Sequence, residues 1–239
     1  DLAAFENLLE RSGAGSPVEV EALIDRRDSL AVEQTSIKLF PCSRQAMSAV
    51  HGVITLFARE GLSVEAVEAI RIEVPPEYCS MVSSTEYPRT RLAALTNVRY
   101  LVALAALDPS PFHSGGPLLV EDERVQALMH RIEVAAAEEL STLYPCAWPC
   151  TVIVRHAGGI DHLNVDAVPG DPASPVSWDA VLQKAQSWTR VAAEELRLLA
   201  ERCRSLDTKA GWDDLVHWCR DTLPRTLGAV AGEGNSGTA

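Results

Sequence analysis

The sequence predicts an α+β fold, in which a small antiparallel or mixed β-sheet packs with helices. Apolar and polar residues alternate over 66–74, which is the pattern of a half-buried strand. A β-branched run at 150–156 precedes the turn signal Gly158-Gly159, and an apolar stretch at 163–168 follows, which predicts a hairpin. Helical periodicity runs before, between and after these strands. Strands set beside separate helices favour the α+β class.

The main helices are predicted from apolar residues that recur every three or four positions. Pro41 stands where the first helix can begin and Gly61 where it ends. Ser177 is placed to cap the long helix that follows it. A short strand is predicted at 131–134. The predicted helices lie at 42–60, 89–107, 121–130, 178–204 and 212–223, with loops at 77–88 and 112–119.

These elements predict four parts along the chain. The first part contains two short helical pieces, Leu2–Leu9 and Val18–Ile24, separated by a stretch rich in glycine, serine and proline. The last part is small and polar, and we expect it to be disordered. The four parts are a helical lead-in segment at 1–35, an α+β domain at 36–176, C-terminal helices at 177–227 and a tail at 228–239.

Composition limits the class of protein. The chain has 239 residues, of which 47% are hydrophobic and 23% charged, as in soluble globular proteins. A net charge of −12 without a basic stripe disfavours nucleic acid as a partner. No export signal or membrane-length apolar run is visible, so we expect a cytoplasmic protein with free thiols and no membrane partner. Cys146 and Cys150 lack a second pair, so no metal site is expected.

Two cations flank the start of the first helix, Lys38 on the approach and Arg44 in the first turn. The backbone N–H groups of such a turn are unpaired and attract anions. Lysine is rare in this chain, because 21 basic residues include only Lys38, Lys184 and Lys209. The pattern indicates a pocket for a carboxylate or phosphate group. The alternative is that both cations are ordinary solvated charges.

The run Lys-Leu-Phe-Pro-Cys-Ser-Arg at 38–44, which opens an apolar helix, resembles the start of the second domain of the MmgE/PrpD family. That family includes 2-methylcitrate dehydratase, cis-aconitate decarboxylase and iminodisuccinate epimerase. Residues 90–107 resemble the family's later helix, which reads roughly Phe-Ser-x-x-Tyr-x-x-Ala. Residues 168–188 resemble its near-terminal glycine and proline motif, which is followed by a helix carrying lysine. The resemblance extends over about 36–199, in the family's order.

The resemblance implies a cofactor-independent lyase or isomerase that dehydrates, decarboxylates or epimerises a small carboxylate-type substrate. Removing a proton beside a carboxylate builds negative charge on its oxygens, and preorganised cations stabilise that charge. Arginine can also grip a carboxylate through two parallel hydrogen bonds. The implied catalytic residues are Lys38 and Tyr100, and the implied substrate-binding residues are Lys38, Arg44, Ser43, Asn97 and Arg99.

Several of these residues have an equally plain structural interpretation. Tyr100 is either a substrate contact or a core tyrosine with a satisfied hydroxyl group. His51 and His113 are further candidates; His51 fits a packed, hydrogen-bonded histidine better, and His113 lies on a glycine-rich loop. Cys42 stands near a helix start, where a thiol pKa can be lowered, but no partner base accompanies it.

Family members carry a large helical domain before this region, and that domain supplies most of the acid–base residues. Only about 35 residues precede Lys38 here. The resemblance therefore implies one subunit of a split enzyme, in a heteromer such as a heterotetramer, whose C-terminal helices pack on a separate helical-domain chain. Departures from the family pattern at Ser43, Met47 and His51 favour the alternative, a non-catalytic small-acid-binding or partner-stabilising protein that kept the lid fold.

Overall fold

The computed structural model describes residues 34–189 and 191–221. Contacts divide the chain after Ser36, and the account below concerns the unit that begins at Ile37. The predicted lead-in helices at 2–9 and 18–24 and the predicted tail at 228–239 lie outside the described residues. None of the described helices has the length and apolar character needed to cross a membrane.

The described part of this unit contains a mixed sheet of four strands, β1 Val67–Val74, β2 Ile132–Ala136, β3 Cys150–His156 and β4 Gly159–Val165. Their order in the sheet is β2-β1-β3-β4. Strand β1 pairs with β2 in parallel and with β3 antiparallel, and β3 pairs with β4 as an antiparallel hairpin. This sheet and the helices around it confirm the predicted α+β class.

The two faces of the sheet differ in character because side chains alternate along each strand. On one face, Ile72 of β1 lies opposite Val134 on one side and Val152 on the other, and all three are buried. On the other face, Arg71 forms an ion pair with Glu133 at 2.8 Å. The apolar face therefore packs on helices, as the alternation in β1 predicts.

Helices α1 (Arg44–Glu60) and α4 (Val98–Leu107) cover the apolar face, α1 against β3 and β4 and α4 against β2. Helix α1 ends at Gly61, whose left-handed backbone lets its N–H group donate to the Phe57 carbonyl, as predicted. The described helices are α1 Arg44–Glu60, α2 Pro76–Val82, α3 Arg91–Thr96, α4 Val98–Leu107, α5 Ser110–Ser114, α6 Glu123–Met129, α7 Trp178–Thr189, α8 Ala193–Arg204 and α9 Lys209–Asp221.

Two predicted long helices are each divided in two. The helix predicted at 89–107 breaks at Asn97, whose extended backbone ends α3 and whose side-chain oxygen accepts from the Tyr100 N–H group to begin α4. The helix predicted at 178–204 is α7 and α8, which contact each other and so cannot be one straight rod. Its predicted cap is confirmed, since the Ser177 hydroxyl group accepts from the Ala180 N–H group at 3.2 Å.

Three further predictions of local structure were wrong in extent. The loop predicted at 77–88 contains α2, which starts at a proline and is anchored where the buried Tyr78 hydroxyl group donates to the Pro149 carbonyl at 3.1 Å. The loop predicted at 112–119 begins inside α5. Strand β4 begins at Gly159 rather than residue 163, because pairing with β3 continues up to the two-residue turn.

We predict that Gly52→Ala lowers the free energy of unfolding by about 1–3 kcal/mol. An added Cβ at this position of α1 would lie 2.7 Å from Cγ2 of Val152, a β-branched side chain that has little freedom to move. Helix propensity alone predicts the opposite sign, a gain of about 1 kcal/mol. Urea denaturation measures the difference, with the exposed Ala58→Gly as a control for propensity. An alanine variant more stable than the wild type would contradict the packing.

Candidate functional site

The approach to α1 is held by a loop from the far end of the domain. We call residues 37–43 the entry segment and residues 169–175 the Gly170 loop. The Ile37 N–H group donates to the Gly170 carbonyl at 2.8 Å. Gly170 has a φ of +104°, and a Cβ built on it would lie 2.0 Å from the Ile37 carbonyl oxygen. Only glycine fits this close approach of two backbones.

The second tie between the two segments is an ion pair. Nη2 of Arg44 lies 2.5 Å from Oδ1 of Asp171, and the two side chains are only 18% and 7% exposed. The other oxygen of Asp171, Oδ2, accepts from the Val168 N–H group at 3.0 Å. Arg44, predicted to bind substrate, therefore already contacts a carboxylate of its own chain. In this geometry it positions the Gly170 loop against the start of α1.

Arg44 and Ser43 each carry a buried polar atom that makes no hydrogen bond with the described residues. These atoms are Nη1 of Arg44 and the hydroxyl oxygen of Ser43. The Ser43 N–H group donates to the Leu95 carbonyl at 2.8 Å, which fixes the backbone there. Both atoms are enclosed, so a substrate would reach them only after the loop moved. Substrate binding by Ser43 and Arg44 stays a prediction.

Two of the three lysines meet beside this loop. The exposed Lys38 lies on the entry segment, and the ammonium group of Lys184 on α7 donates a hydrogen bond to the Lys38 carbonyl. Burial, and then the charge of Lys38, lower the pKa of Lys184. Within the described ranges, neither ammonium group pairs with a carboxylate. The sequence offered a signal for Lys184, since lysine is rare and the resemblance includes a lysine on this helix.

An open groove of about 760 Å³ lies between the entry segment, α5 and α7, and we call it the Lys184 groove. Its exposed lining is mainly apolar. It brings together Lys184 and both candidate histidines, which are far apart in sequence. The residues that line it are Leu39, Phe40, His51, Asp108, Pro109, Ser110, Phe112, His113, Ser114, Pro169, Ala180, Gln183, Lys184 and Ser187.

Aromatic rings give the groove a firm wall. The Phe40 ring centre lies 6.1 Å from that of Phe112 and 5.6 Å from that of His113, both edge to face, and 6.3 Å from that of His51. Burial lowers the pKa of His51, so its imidazole is neutral at pH 7 and can accept a proton. The groove therefore combines apolar walls, one cation and a potential base.

Three predicted site residues contact backbone groups of the core instead. The Tyr100 hydroxyl group accepts from the Val120 N–H group at 2.9 Å, so the tyrosine is buried and satisfied. Nε of Arg99 donates to the Ile132 carbonyl at 2.8 Å, and Asn97 caps α4. None of the three lines the Lys184 groove. The structure gives each a structural contact, and their proposed roles stay predictions.

The lowered thiol pKa that a helix start can give does not occur at Cys42. Burial raises the pKa of Cys42 to about 12, although the charges of Lys38 and Arg44 act in the opposite direction. Desolvation dominates because the thiol is almost fully enclosed at the start of α1. Cys42 is therefore a neutral thiol that packs in the core. Among the described residues, no group of three or more histidines, cysteines and carboxylates could hold a metal ion.

The elements that build this site define a helix-flanked α+β domain with a cationic entry to its first long helix. The family model of the MmgE/PrpD C-terminal domain matches residues 40–206, which is more than half of the chain. The chain therefore belongs to the MmgE/PrpD family and carries its C-terminal domain, which confirms the resemblance. The family is generally enzymatic and includes dehydratases and decarboxylases. No curated protein matches the chain.

We predict that Gly170→Ala destabilises the protein by about 1–3 kcal/mol more than Gly159→Ala does. Both glycines have a positive φ, so both variants carry backbone strain. Only at Gly170 does the new Cβ meet another backbone, since nothing lies within 4 Å of a Cβ on Gly159. Thermal or urea unfolding of both variants gives the difference. Equal losses would show that the loop does not hold the entry segment this closely.

The lowered pKa of His51 predicts a specific loss of stability in acid. The unfolded chain binds a proton at the ordinary histidine pKa, about 6.5, whereas the folded chain resists it until a lower pH. Above pH about 6.5 His51 is neutral in both states, so it does not lower the free energy of unfolding. As the pH falls from there through the folded pKa, the unfolded chain binds the proton first, and the free energy of unfolding decreases. Urea titrations from pH 7.5 to 5 should show a smaller decline in His51→Gln. Identical declines in the wild type and the variant would contradict a lowered pKa of His51.

Proposed function

We propose that this chain is the substrate-binding half of a lyase or isomerase of MmgE/PrpD type that acts on a small carboxylate. The observation that carries the proposal is the lysine pair, Lys38 and Lys184, held together with no carboxylate partner among the described residues. Two adjacent cations repel each other, and a bound anion relieves that repulsion. Membership of a family that includes dehydratases and decarboxylases supports the same class of reaction.

The lysine pair suits the chemistry of these reactions. Breaking a bond next to a carboxylate shifts negative charge onto its oxygens, so a cation already in place lowers the barrier without reorganisation. Lys184 donates to the Lys38 carbonyl, and the Gly170 loop holds the same segment. In the proposal Lys38 contacts the substrate carboxylate, and Arg44 positions Lys38 through its ion pair with Asp171. His51 is the base that this chain itself could contribute.

A separate helical chain completes the site in this proposal. The C-terminal helices leave large apolar side chains in contact with solvent. Leaving such side chains exposed forfeits roughly 1.5–3 kcal/mol for each one that could be fully buried. We propose that these faces pack on the partner chain, which supplies the remaining acid–base groups. The exposed side chains are Trp178, Trp188, Leu198, Trp212 and Val216.

The second candidate is a small-acid-binding or partner-stabilising protein without catalysis. It is favoured by the contacts of Tyr100, Arg99 and Asn97, which are all engaged by the core and leave few acid–base groups at the groove. The enzyme and the small-acid-binding protein both require carboxylate binding at Lys38, whereas a partner-stabilising protein does not. Only the enzyme predicts turnover of the carboxylate by the complex with the partner chain.

We predict that Lys38→Ala lowers kcat/KM in the complete complex by about 100-fold or more, because it removes a cation that stabilises transition-state charge. The exposed Lys38 side chain makes no hydrogen bond within the described residues, so the variant should fold normally. Lys209→Ala is the matched control, since Lys209 is exposed and pairs with Asp213 on α9. An unchanged kcat/KM would refute the role of Lys38. Carboxylate binding without turnover in the wild-type complex would favour the non-catalytic candidate.

We predict an interface with the helical-domain chain larger than ~1,200 Å² in total, the size of a stable complex. The double variant Trp212→Glu with Val216→Glu should weaken that association by about 30-fold or more, because it places charges in an apolar contact. Ile160→Glu is the control, since Ile160 is 65% exposed on β4 against 55% and 57% for the other two. Analytical ultracentrifugation of the mixed chains measures the effect. A fully active, cooperatively folding monomer of this chain would end the proposal.

A further inference from the structure

The three lysines of the chain differ in their surroundings. Lys209 is exposed and pairs with Asp213 at 2.7 Å, and Lys38 is exposed on the entry segment. Lys184 is partly buried, and it lines the open Lys184 groove. Burial and the charge of Lys38 both lower the pKa of Lys184. The neutral, nucleophilic amine is therefore more readily available at Lys184 than at an ordinary surface lysine.

The Trp188 ring acts in the opposite direction. Its centre lies 5.7 Å from Nζ of Lys184, and the face of an aromatic ring attracts a cation. That distance is close to the limit of about 6 Å for such contacts, and the side chain is 37% exposed to water, so the attraction is weak. The other titratable groups among the described groove residues are His51, Asp108 and His113. Burial and the charge of Lys38 remain the main influences on the Lys184 amine.

The contact with the entry segment orients this amine. Nζ of Lys184 donates to the Lys38 carbonyl, which engages one of the three N–H bonds of an ammonium group. A proton lost from either of the others leaves a lone pair directed away from that carbonyl. One helical turn later the Ser187 hydroxyl group donates to the His113 carbonyl at 3.0 Å, which holds α7 beside the groove. The amine therefore has a defined position and a free lone pair when it is neutral.

The position of Lys38 determines which carbonyl compound fits. Its ammonium group pairs with no carboxylate among the described residues, and its charge acts on Lys184. A 2-oxo acid carries a carboxylate and a carbonyl group on adjacent carbon atoms. Its carboxylate can pair with Lys38 while its carbonyl carbon meets the amine of Lys184, so the two lysines together recognise both groups.

We propose that Lys184 captures 2-oxo acids as a reversible covalent imine, with the carboxylate of the ligand held by Lys38. The inference goes beyond the proposed function and shares with it only the contact between Lys38 and a carboxylate. A captured 2-oxo acid occupies both lysines. It therefore excludes the carboxylate substrate and acts as a reversible inhibitor.

The capture needs no oxidant, reductant or further reactant. Lys184 loses a proton to water, and its lone pair forms a bond to the carbonyl carbon. The carbonyl oxygen takes one proton from the nitrogen and one from the solvent, and it leaves as water while the C=N double bond forms. The protonated imine keeps one N–H bond, which can still donate to the Lys38 carbonyl. The contact that orients α7 on the entry segment is therefore compatible with the adduct.

The first experiment traps the imine on the full chain. The probe is 2-oxoglutarate with sodium cyanoborohydride, which reduces an imine to a stable secondary amine, and peptide mass spectrometry locates the label. Lys184 should be labelled at least about tenfold faster than Lys209, the exposed internal control. Lys38→Gln should slow the labelling of Lys184 by about tenfold, because it removes the charge that holds the carboxylate and favours the neutral amine. Equal labelling of Lys184 and Lys209 would overturn the inference.

A matched pair of ligands tests the imine without reduction. 2-Hydroxyglutarate carries the same carboxylates as 2-oxoglutarate but has no carbonyl group, so it cannot form an imine. By NMR titration 2-oxoglutarate should bind the wild type about tenfold more tightly. Lys184→Arg keeps the charge and a donor for the Lys38 carbonyl, and it should abolish that difference. Lys209→Arg, the control, should preserve it.

The outcomes separate this inference from the proposed function. Equal binding of the two dicarboxylates by the wild type, with no label on Lys184, would overturn the imine and leave the carboxylate contact in place. Labelling of Lys184 by butanone, a ketone without a carboxylate, as fast as by 2-oxoglutarate would overturn the recognition by two lysines. Absence of binding by either dicarboxylate, alone and with the partner chain, would overturn both.

Discussion

The joining of the Gly170 loop to the entry segment is the constraint on which the rest of the site depends. The entry segment has no regular secondary structure, so nothing local fixes the position of Lys38. The loop holds it at both ends, through the Ile37 N–H group on one side and the Arg44–Asp171 ion pair on the other. Burying this ion pair is costly unless its geometry is good and its other lone pairs are used. The Val168 N–H group supplies one such contact.

The distribution of charge follows from this arrangement. Asp171 neutralises Arg44 inside the domain, whereas Lys38 and Lys184 stand together without a carboxylate among the described residues. The charge of Lys38 lowers the pKa of Lys184, because two like charges near each other disfavour the charged form. The proposed anionic ligand would remove that repulsion when it binds.

Helix α7 links the proposed ligand to the proposed partner chain. The side of α7 that carries Lys184 and Ser187 faces the entry segment and α5. Trp188 lies on that same side, with its ring centre 5.7 Å from the Lys184 ammonium group, whereas Trp178 at the start of the helix is exposed. A partner that packs on Trp178 would restrict the motion of α7 and so keep the groove wall in place. Ligand binding and partner binding would then each favour the other, as linkage requires.

The sequence by itself determined the α+β class, the position of β3, the start and end of α1 and the cationic entry to that helix. Each of these is predicted by residues that are close together in the sequence: by alternation, by helical periodicity, by a proline or by a glycine. The break at Asn97 was missed because the apolar pattern continues through it, and tertiary contacts decide which residue leaves the helix. The pairing of Arg44 with Asp171, which lies 127 positions away, has no local signal. The raised pKa of Cys42 likewise has no local signal, because desolvation depends on how distant segments pack around the thiol.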